Sequence, residues 1–332
     1  MLVVGRNGAG KTNLLESLHV ATQGFSPRTR ADGQLVRFGA EEARISVAGL
    51  RGEVSVEVEL RLARSGKRAT LNGARLRAAE QLRTELATLV FTPDRLALVK
   101  GGPAARRAYF DRTLGRISPG RAALPAEYGA AVAQRNAGLR RAAGGFSSRE
   151  AIEPWTERVA QLGSELVKAR REVTRLLETG FAQCAEELGL PAGRLRYDAE
   201  APTVADLDAR LERDLERGAT GIGPHLDDVA ILSGDRELRS FGSQGEQRLT
   251  VLALLLAEAE LVTARRGVPP LLLFDDVLSE LDPERRRILA VRLSDYGQAL
   301  ITATSVSALP VDAAQTLEVR LGETGLSEVV AA

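Results

Sequence analysis

Residues near the start of the chain have the types and the spacing of a phosphate-binding loop. Residues 5–12, GRNGAGKT, fit the pattern G-x-x-x-x-G-K-[ST]. Glycines in such a loop allow consecutive backbone N–H groups to converge on phosphate oxygens. Lys11 then reaches the β and γ phosphates, and the hydroxyl of Thr12 can bind Mg²⁺. The pattern therefore predicts a site for a nucleoside triphosphate.

A second candidate site lies near the other end of the chain, where an apolar run ends in two acids. Residues 271–274 read LLLF and are followed by Asp275 and Asp276. Adjacent carboxylates repel and are costly to desolvate, so a cation is expected beside them. A phosphate-loop protein needs an acidic partner for its Mg²⁺ at the end of a neighbouring strand. We predict that Asp275 serves the metal and that Asp276 orients or deprotonates the attacking water.

Specific elements must position these residues. The apolar residues 1–4 predict a buried strand before the loop, and residues 11–18 predict a helix whose positive end faces the nucleotide. Between the two sites, residues 240–262 predict a Gly and Ser turn leading into a long helix. Ser243 fits the N-cap of this helix, with Glu246 as a capping-box partner. A second interpretation compares the segment with the signature of ATP-binding-cassette ATPases, usually S-G-G-Q.

The composition limits the remaining functions. A length of 332 residues favours one large domain with a second lobe. The net charge is only +1, so any nucleic-acid binding must use local basic patches. Cys184 is the single cysteine, and His19 and His225 lack metal-ligand spacing, which argues against a disulfide or a zinc site. With no long apolar stretch and no secretory signal, we expect a soluble cytoplasmic protein.

The periodicity changes along the chain and indicates two lobes. Residues 45–71 alternate as antiparallel strands do, most clearly at 54–63, and LNGARL suggests a hairpin. From about residue 103 to 190 the apolar positions have helical spacing. The periodicity therefore predicts an α/β fold with an inserted all-helical arm. The likeness to the cassette signature implies that the other lobe is a phosphate-loop ATPase head of the ATP-binding-cassette type, with a mixed sheet and helices. The head comprises residues 1–104 and 216–332, and the arm 105–215.

Arginine clusters occur throughout the predicted arm. They comprise Arg106 and Arg107, Arg135, Arg140 and Arg141, and Arg170 and Arg171. Glutamates lie between them, which favours solvated helix faces for each single cluster. The alternative is a DNA surface that reads phosphates with little base specificity. Arg285 to Arg287 are expected to begin a surface helix.

Four stretches together resemble the RecF family of bacterial recombination-mediator ATPases, related to the structural-maintenance and Rad50 group. They are residues 5–17, 223–228, 241–248 and 271–286, reading GRNGAGKTNLLES, GPHLDD, FGSQGEQR and LLLFDDVLSELDPERR. Leu226 replaces the arginine that is usual in GPHRDD. Members of the family carry a further segment with a β-hairpin before the first strand, so we expect either a misassigned start or a shortened protein.

The resemblance implies a set of site residues and cofactors. ATP would be held by Lys11 and by the further residues Gly5, Asn7, Gly8, Gly10, Thr12, Asn13, Ser243, Gly245 and Asp282. Mg²⁺ would be bound by Thr12 and Asp275. Asp276, Lys11 and Ser243 would be the catalytic residues. Asp282 resembles the family's inter-subunit loop, and Thr302 or Thr304 lies where other cassette ATPases place a switch histidine.

The resemblance also implies partners. Two ATP molecules would be sandwiched in a homodimer that clamps DNA at single-strand to double-strand junctions. RecR and RecO, and indirectly RecA, would be the protein partners. Since transporter cassettes have glutamate where this chain has Asp276, we expect slow ATP hydrolysis. Two alternatives remain open here, namely an ATPase subunit of a membrane transporter and a truncated, inactive interaction module.

Overall fold

A computed structural model describes residues 1–29, 31–64, 66–294, 296–322 and 325–331. The chain forms two compact units. The first contains Met1–Leu96, Cys184–Leu190 and Gln244–Ala332, and the second contains Ala97–Gln183 and Pro191–Ser243.

The chain contains runs of consecutive strands and runs of consecutive helices. The strands are β1 (Leu2–Val4), β2 (Glu42–Arg51), β3 (Val54–Ala63), β4 (Gly66–Leu71), β5 (Ala74–Arg75), β6 (Thr88–Phe91), β7 (Gly193–Arg196), β8 (Ala230–Ser233), β9 (Arg236–Glu237), β10 (Leu271–Phe274), β11 (Ala299–Ala303), β12 (Thr316–Leu321) and β13 (Ser327–Ala331). The α-helices are α1 (Lys11–Gln23), α2 (Leu82–Glu85), α3 (Ala97–Lys100), α4 (Pro103–Ile117), α5 (Leu124–Ala143), α6 (Glu153–Glu187), α7 (Val204–Ala209), α8 (Leu211–Arg217), α9 (Leu238–Phe241), α10 (Gln244–Arg266) and α11 (Pro283–Ser294).

The main sheet of the first unit positions both candidate sites. Its strand order is β13-β12-β1-β11-β10-β6, and all neighbouring pairs except β12 with β13 are parallel. Strands β1 and β6 are fully buried, as expected for apolar runs covered on both faces. Parallel strands end at the same edge, so the loop after β1 and the acids after β10 lie on one side of the sheet. The predicted strands and the predicted helix α1 are confirmed.

The second sheet of this unit is antiparallel, in the order β2-β3-β4-β5. In β3 the residues Val56, Val58, Leu60 and Leu62 are buried and alternate with outward-facing residues, which confirms the predicted period of two. The predicted hairpin is also confirmed, because Asn72 and Gly73 both have positive φ, at 49° and 77°. The inner face packs on a core that includes Val20 of α1 and Leu82 of α2.

The second unit contains the predicted arm helices, chiefly α4, α5 and α6. The unit also contains a small antiparallel sheet in the order β7-β8-β9, whose strands of two to four residues are too short to show a period of two in the sequence. The unit also includes residues 97–104 and 216–243, outside the predicted arm. Side-chain bonds explain part of this: buried Arg135 of α5 donates to Asp214 at 2.7 Å and to Thr220 at 2.9 Å. The boundaries of the functional lobes stay a prediction.

Several arginines of the predicted clusters are not solvated. Arg106, Arg135 and Arg170 have exposed fractions of 1%, 0% and 3%. Each is paired with an aspartate of the same unit, namely Asp228, Asp214 and Asp111. A buried guanidinium persists only when a carboxylate and further acceptors surround it. For these three arginines the expectation of an exposed helix face was wrong, and the same burial removes them from any DNA surface.

Over the described part of the chain, every helix is too short or too polar to cross a bilayer.

Candidate functional site

The loop that follows β1 is shaped by its glycines. A Cβ on Gly5 would collide with the carbonyl oxygen of Val319 in β12, and a Cβ on Gly10 would collide with the hydroxyl of Ser327 in β13. Gly8 and Gly10 have φ values of 82° and 108°, a region that disfavours residues with side chains. Neighbouring strands therefore press directly against the loop, and glycine is required at Gly5 and Gly10.

Lys11 begins α1 and points its side chain back into the loop. Its ammonium group donates to the carbonyl oxygens of Gly5 at 2.7 Å and Arg6 at 3.1 Å, and the residue is only 8% exposed. Two carbonyl acceptors leave one of the three N–H donors of the ammonium for another acceptor. The arrangement holds a buried positive charge at the N-terminus of a helix, which is suited to an anion such as phosphate.

Thr12 and Asp275 lie 263 residues apart in sequence but are in direct contact. The Thr12 hydroxyl is 3.0 Å from each carboxylate oxygen of Asp275. Asp275 follows β10 and is 8% exposed, and its backbone N–H donates to Phe91 of β6 at 2.9 Å. The structure thus brings together the two residues that the sequence predicted as Mg²⁺ ligands. Their role as ligands stays a prediction.

Thr302, near the end of β11, connects the two aspartates. Its hydroxyl donates to Asp275 Oδ1 at 2.9 Å and accepts from the backbone N–H of Asp276 at 2.9 Å. Thr302 is 1% exposed, whereas Thr304 is exposed. In the sequence the two threonines are alternatives for this position, because both lie at the end of the same apolar run. The geometry identifies Thr302 as the residue that contacts the site.

Asp276 has an unusual backbone conformation. Its φ of 51° and ψ of 29° place it in the left-handed region, which aspartate tolerates better than most residues. Ser279 donates from its hydroxyl to the carbonyl oxygen of Asp276 at 2.8 Å and to its Oδ2 at 2.9 Å. A short turn of 3-10 helix, Val277–Glu280, follows immediately after Asp276. Asp275 and Asp276 therefore have different surroundings, although they are adjacent.

The remaining predicted residues have the following positions. Asn7, Gly8 and Asn13 are exposed around the loop and the first turn of α1. Ser243 immediately precedes α10, and Gly245 lies in the first turn of that helix; both are exposed. Their part in ATP binding and the predicted capping role of Ser243 stay predictions.

Asp282 has a local structural role. It accepts from the backbone N–H of Arg285 at 2.9 Å and pairs with the Arg285 guanidinium at 2.8 Å. Its carboxylate therefore stabilises the N-terminus of α11. This contact lies within one chain and does not test the predicted inter-subunit role.

The donors around the loop fit a nucleotide with a divalent cation. A hydroxyl and a carboxylate are oxygen ligands of the kind that Mg²⁺ prefers. Within the described ranges, His, Cys, Asp and Glu form no group of three or more that could hold a metal ion. Mg²⁺ would therefore depend on phosphate oxygens and water for most of its ligands, as is usual at phosphate-loop sites.

A separate network in the second unit involves the GPHLDD stretch. Arg106 binds Asp228 through two hydrogen bonds of 2.7 and 2.6 Å, and Tyr197 donates to Asp227 at 2.7 Å. His225 lies 2.8 Å from the Tyr128 hydroxyl, and its other ring nitrogen lies 3.0 Å from the Thr220 carbonyl oxygen. The stretch is therefore held by hydrogen bonds to several elements of this unit. Leu226, in contrast, is 56% exposed.

Comparison with known proteins gives consistent results. Residues 1–328 match the family described as RecF/RecN/SMC N terminal domain. A DNA replication and repair protein RecF from Geobacillus thermodenitrificans is 33% identical over 330 residues, covering 95% of this chain and 89% of the relative. A protein of the same description from Anaeromyxobacter dehalogenans is 38% identical over 326 residues, covering 91% of this chain and 86% of the relative.

This chain is also similar in structure to solved proteins of the same kind. The recombination mediator protein RecF in complex with ATP has a TM-score of 0.88 and 26% identity, and the match covers 99% of this chain and 91% of that one. The head domain of an Smc protein from Pyrococcus furiosus, with a TM-score of 0.58 and 18% identity, shares the fold; this match covers 100% of this chain and 89% of that one. The predicted fold class, an ATPase head of the cassette type, is confirmed.

Proposed function

Because this chain belongs to the RecF family of DNA replication and repair proteins, we propose that it is an ATP-controlled DNA-binding protein of recombinational repair. Family membership and the likeness to an ATP-bound structure support a recombination-mediator ATPase. They leave the transporter interpretation without support. The finer features proposed here are the assignment of the site residues, the ATP-dependent dimer and the DNA clamp.

One observation carries the proposal: Lys11, Thr12 and Asp275 meet at one edge of the main sheet, although the chain between them is more than 260 residues long. Lys11 and the backbone N–H groups of the loop would bind the phosphates of ATP. Thr12 and Asp275 would bind Mg²⁺, which neutralises phosphate charge when present. The buried Asp275 carboxylate accepts hydrogen bonds from the hydroxyls of Thr12 and Thr302, which orient it.

We assign ATP a role in joining two copies of the chain. Ser243 and Gly245 of one copy would contact the γ-phosphate bound by the other. Their exposure at the start of α10 supports this, because a second copy could reach them. ATP would drive closure only through its better interaction with the closed dimer than with the separate subunits. The closed dimer would hold DNA near single-strand to double-strand junctions and assist RecR and RecO in loading RecA.

Hydrolysis would release the clamp slowly. Asp276 is the candidate group for orienting the attacking water, and its backbone is fixed by the bond to Thr302. The aspartate side chain is one methylene shorter than glutamate, and proton transfer depends on reach. Ser279 also occupies one of its carboxylate oxygens. Both features support a low turnover, and we expect DNA to increase it.

Light scattering and DNA binding would test this proposal together. The purified chain is measured alone, with ATP and Mg²⁺, and with ADP and Mg²⁺. We expect a dimer only with ATP, and tighter binding of gapped DNA in that state alone. Lys11→Ala is the control, since it removes the phosphate contact. A chain that remains monomeric and binds DNA equally in all three states would exclude the clamp.

A further inference from the structure

A fully exposed aromatic side chain lies on a turn that precedes β2. Phe38 is 99% exposed, and the turn is closed by the backbone N–H of Ala40, which donates to the Arg37 carbonyl oxygen at 3.0 Å. Gly39 has a φ of 84°, so the turn requires glycine at that position. Val36 is buried in the core on one side of the turn, and Ala40 packs against the same core on the other. The turn is therefore anchored at both ends and holds the phenyl ring in solvent.

Three arginines form a row across the neighbouring sheet. Arg44 of β2 is paired in register with Arg61 of β3, which is paired with Arg68 of β4. All three are exposed on the outer face. Like charges placed directly opposite one another destabilise a sheet unless an anion lies nearby.

The anions of this chain only partly neutralise the row. Glu59 pairs with Arg44 at 3.1 Å and with Arg61 at 3.0 Å. Arg68 has no ion pair or hydrogen bond through its side chain with any residue that the structure describes. The row thus retains unneutralised positive charge on an exposed surface.

An open depression lies between the end of the Phe38 turn and the end of β3. It has a volume of about 590 Å³ and is lined by Gly39, Ala40, Glu41, Glu42, Ala63 and Arg64. Glu42 is paired with Ala63, and Arg44 with Arg61 lies two positions further along the same strands. Two positions correspond to about 7 Å along a strand. The Phe38 turn, Arg64 and the arginine row therefore lie at one end of the antiparallel sheet.

These residues define what we call the Phe38 patch: Arg37, Phe38, Arg44, Arg61, Arg64 and Arg68. Its five arginines exceed the three neighbouring glutamates, Glu41, Glu42 and Glu59. The patch is locally basic, whereas the whole chain has a net charge of only +1. Exposed aromatic rings beside arginines are the combination that binds single-stranded nucleic acid, by stacking on bases and by contacts to phosphates.

We propose that the Phe38 patch binds the unpaired strand of gapped DNA, with Phe38 stacked on a base and the arginines on the flanking phosphates. The proposal deepens the DNA-binding function proposed above and rests on it. A paired duplex conceals the faces of its bases inside the stack, so a ring on a short turn gains a partner only where a base is unpaired. The patch would therefore distinguish DNA that has unpaired bases from a fully paired duplex.

Fluorescence would test the stacking directly. The chain has one tryptophan, Trp155, so Phe38→Trp combined with Trp155→Phe places a single indole in the patch. Full-length protein is titrated with an oligo-dT single strand, a gapped duplex and a blunt duplex of equal length. We expect the fluorescence of this indole to change with the first two and to remain unchanged with the blunt duplex. Unchanged fluorescence at saturating single strand, with DNA binding confirmed by anisotropy, would overturn the proposal.

Alanine variants provide the affinity test. Phe38→Ala should weaken binding of gapped DNA roughly tenfold and leave blunt-duplex binding within about twofold, because one stacked base is lost. Phe146→Ala is the matched control, since Phe146 is 86% exposed in the other unit. Arg68→Gln should weaken binding of the single strand and the gapped duplex, lower the salt slope of that binding by about one, and leave blunt-duplex binding within about twofold. Equal effects of Phe38→Ala and Phe146→Ala would contradict the patch.

Other outcomes separate this proposal from the one on which it rests. If the wild-type chain binds no form of DNA, the proposed function fails and the patch proposal fails with it. If the wild type binds gapped DNA but Phe38→Ala binds it equally well, only the patch proposal fails. A Phe38→Ala variant that loses ATP-dependent dimerisation but retains junction preference would identify the patch as a contact between copies and would also overturn the proposal.

Discussion

Thr302 donates its only hydroxyl proton to Asp275, at 2.9 Å, and accepts a hydrogen bond from the backbone of the next residue, Asp276. One buried side chain from β11 therefore fixes the carboxylate of one aspartate and the backbone of the other. Strand β11 lies between β1, which precedes the phosphate loop, and β10, which precedes the two aspartates. A displacement of β11 would therefore move the residues of both segments. Thr302 is consequently a positioning residue for the proposed Mg²⁺ and water sites.

Removing the Thr302 hydroxyl should affect both stability and turnover. In Thr302→Val the new side chain has nearly the shape of threonine but lacks the hydroxyl, so the backbone N–H of Asp276 loses its hydrogen-bond partner. This loss should lower the free energy of unfolding by about 1–3 kcal/mol. Urea denaturation and steady-state ATP turnover measure the two effects, and we expect turnover to fall more than ATP affinity. Thr304→Val, at an exposed position, is the control. Equal unfolding free energies and equal ATP turnover in the two variants would show that the Thr302 hydroxyl does not position the two aspartates.

Asp276→Asn should separate ATP binding from hydrolysis. Asparagine also tolerates the left-handed backbone of this residue, so the fold should be unchanged. Loss of the carboxylate should reduce turnover by about 100-fold or more if Asp276 acts on the water. We further expect the ATP-bound dimer to persist, with longer residence on gapped DNA. Turnover equal to that of the wild type would remove Asp276 from its proposed role.

Ser243→Arg should prevent dimerisation without affecting nucleotide binding. A long cationic side chain at the start of α10 would obstruct the approach of a second copy. The phosphate loop, residues 5–12, is not changed by this substitution, so each chain should still bind ATP. Light scattering with ATP should report a monomer, while a fluorescent ATP analogue should bind as in the wild type. Ser243→Ala is the milder control and should weaken the dimer only partly. Normal dimerisation of the arginine variant would disprove the composite site.

Gly5→Ala should destabilise the first unit. The new methyl group would collide with the Val319 carbonyl oxygen, which is backbone and cannot rotate away. Overpacking of this kind typically costs about 1–3 kcal/mol, which a shift in the urea midpoint would report. Gly33→Ala is the control, because no atom lies within 4 Å of its added methyl and its φ is not positive. Equal midpoints for the two variants would contradict the close approach of β12.

Acidification should weaken the second unit through His225. Burial, and to a lesser degree the charge of Arg107, lower the pKa of His225 below its ordinary 6.5, although the hydrogen bond to Thr220 and the charges of Asp227 and Asp214 act in the opposite direction. The unfolded chain then binds the proton more readily than the folded chain. The stabilising contribution is complete above about pH 6.5 and is lost as the pH falls towards the folded pKa.

Thermal unfolding between about pH 7.5 and 5 would measure the effect of His225. His225→Gln does not titrate, so the difference between its melting temperature and that of the wild type should decrease as the pH is lowered. A difference that stays constant with pH would show that His225 does not contribute to the pH dependence.

The sequence predicted the parts of the site that depend on local patterns. Lys11, Thr12 and Asp275 were recognisable because the loop glycines and the apolar run before the acids are continuous in sequence. Thr302 was only one of two alternatives, since its contact with Asp275 depends on the strand order of the sheet. Arg135 was misjudged for a related reason: its partner Asp214 is 79 residues away, and no local pattern indicates that both are buried. Distant contacts whose partners belong to no recognisable motif, such as those of Thr302 and Arg135, were therefore the parts that could not be predicted.

The position of β1 in the main sheet has a consequence for synthesis of the chain. Residues 2–4 are hydrogen-bonded in register to β11 and β12, which lie some 300 residues later. In a chain emerging from the ribosome, the phosphate loop cannot reach its folded conformation until β12 has been synthesised. Before that point, Gly5 lacks the strand against which it packs. Strand β1 can therefore pair only after β11 and β12 have been synthesised, and contacts so distant in sequence form slowly. Nascent chains should therefore acquire ATP binding only after β12 has been synthesised.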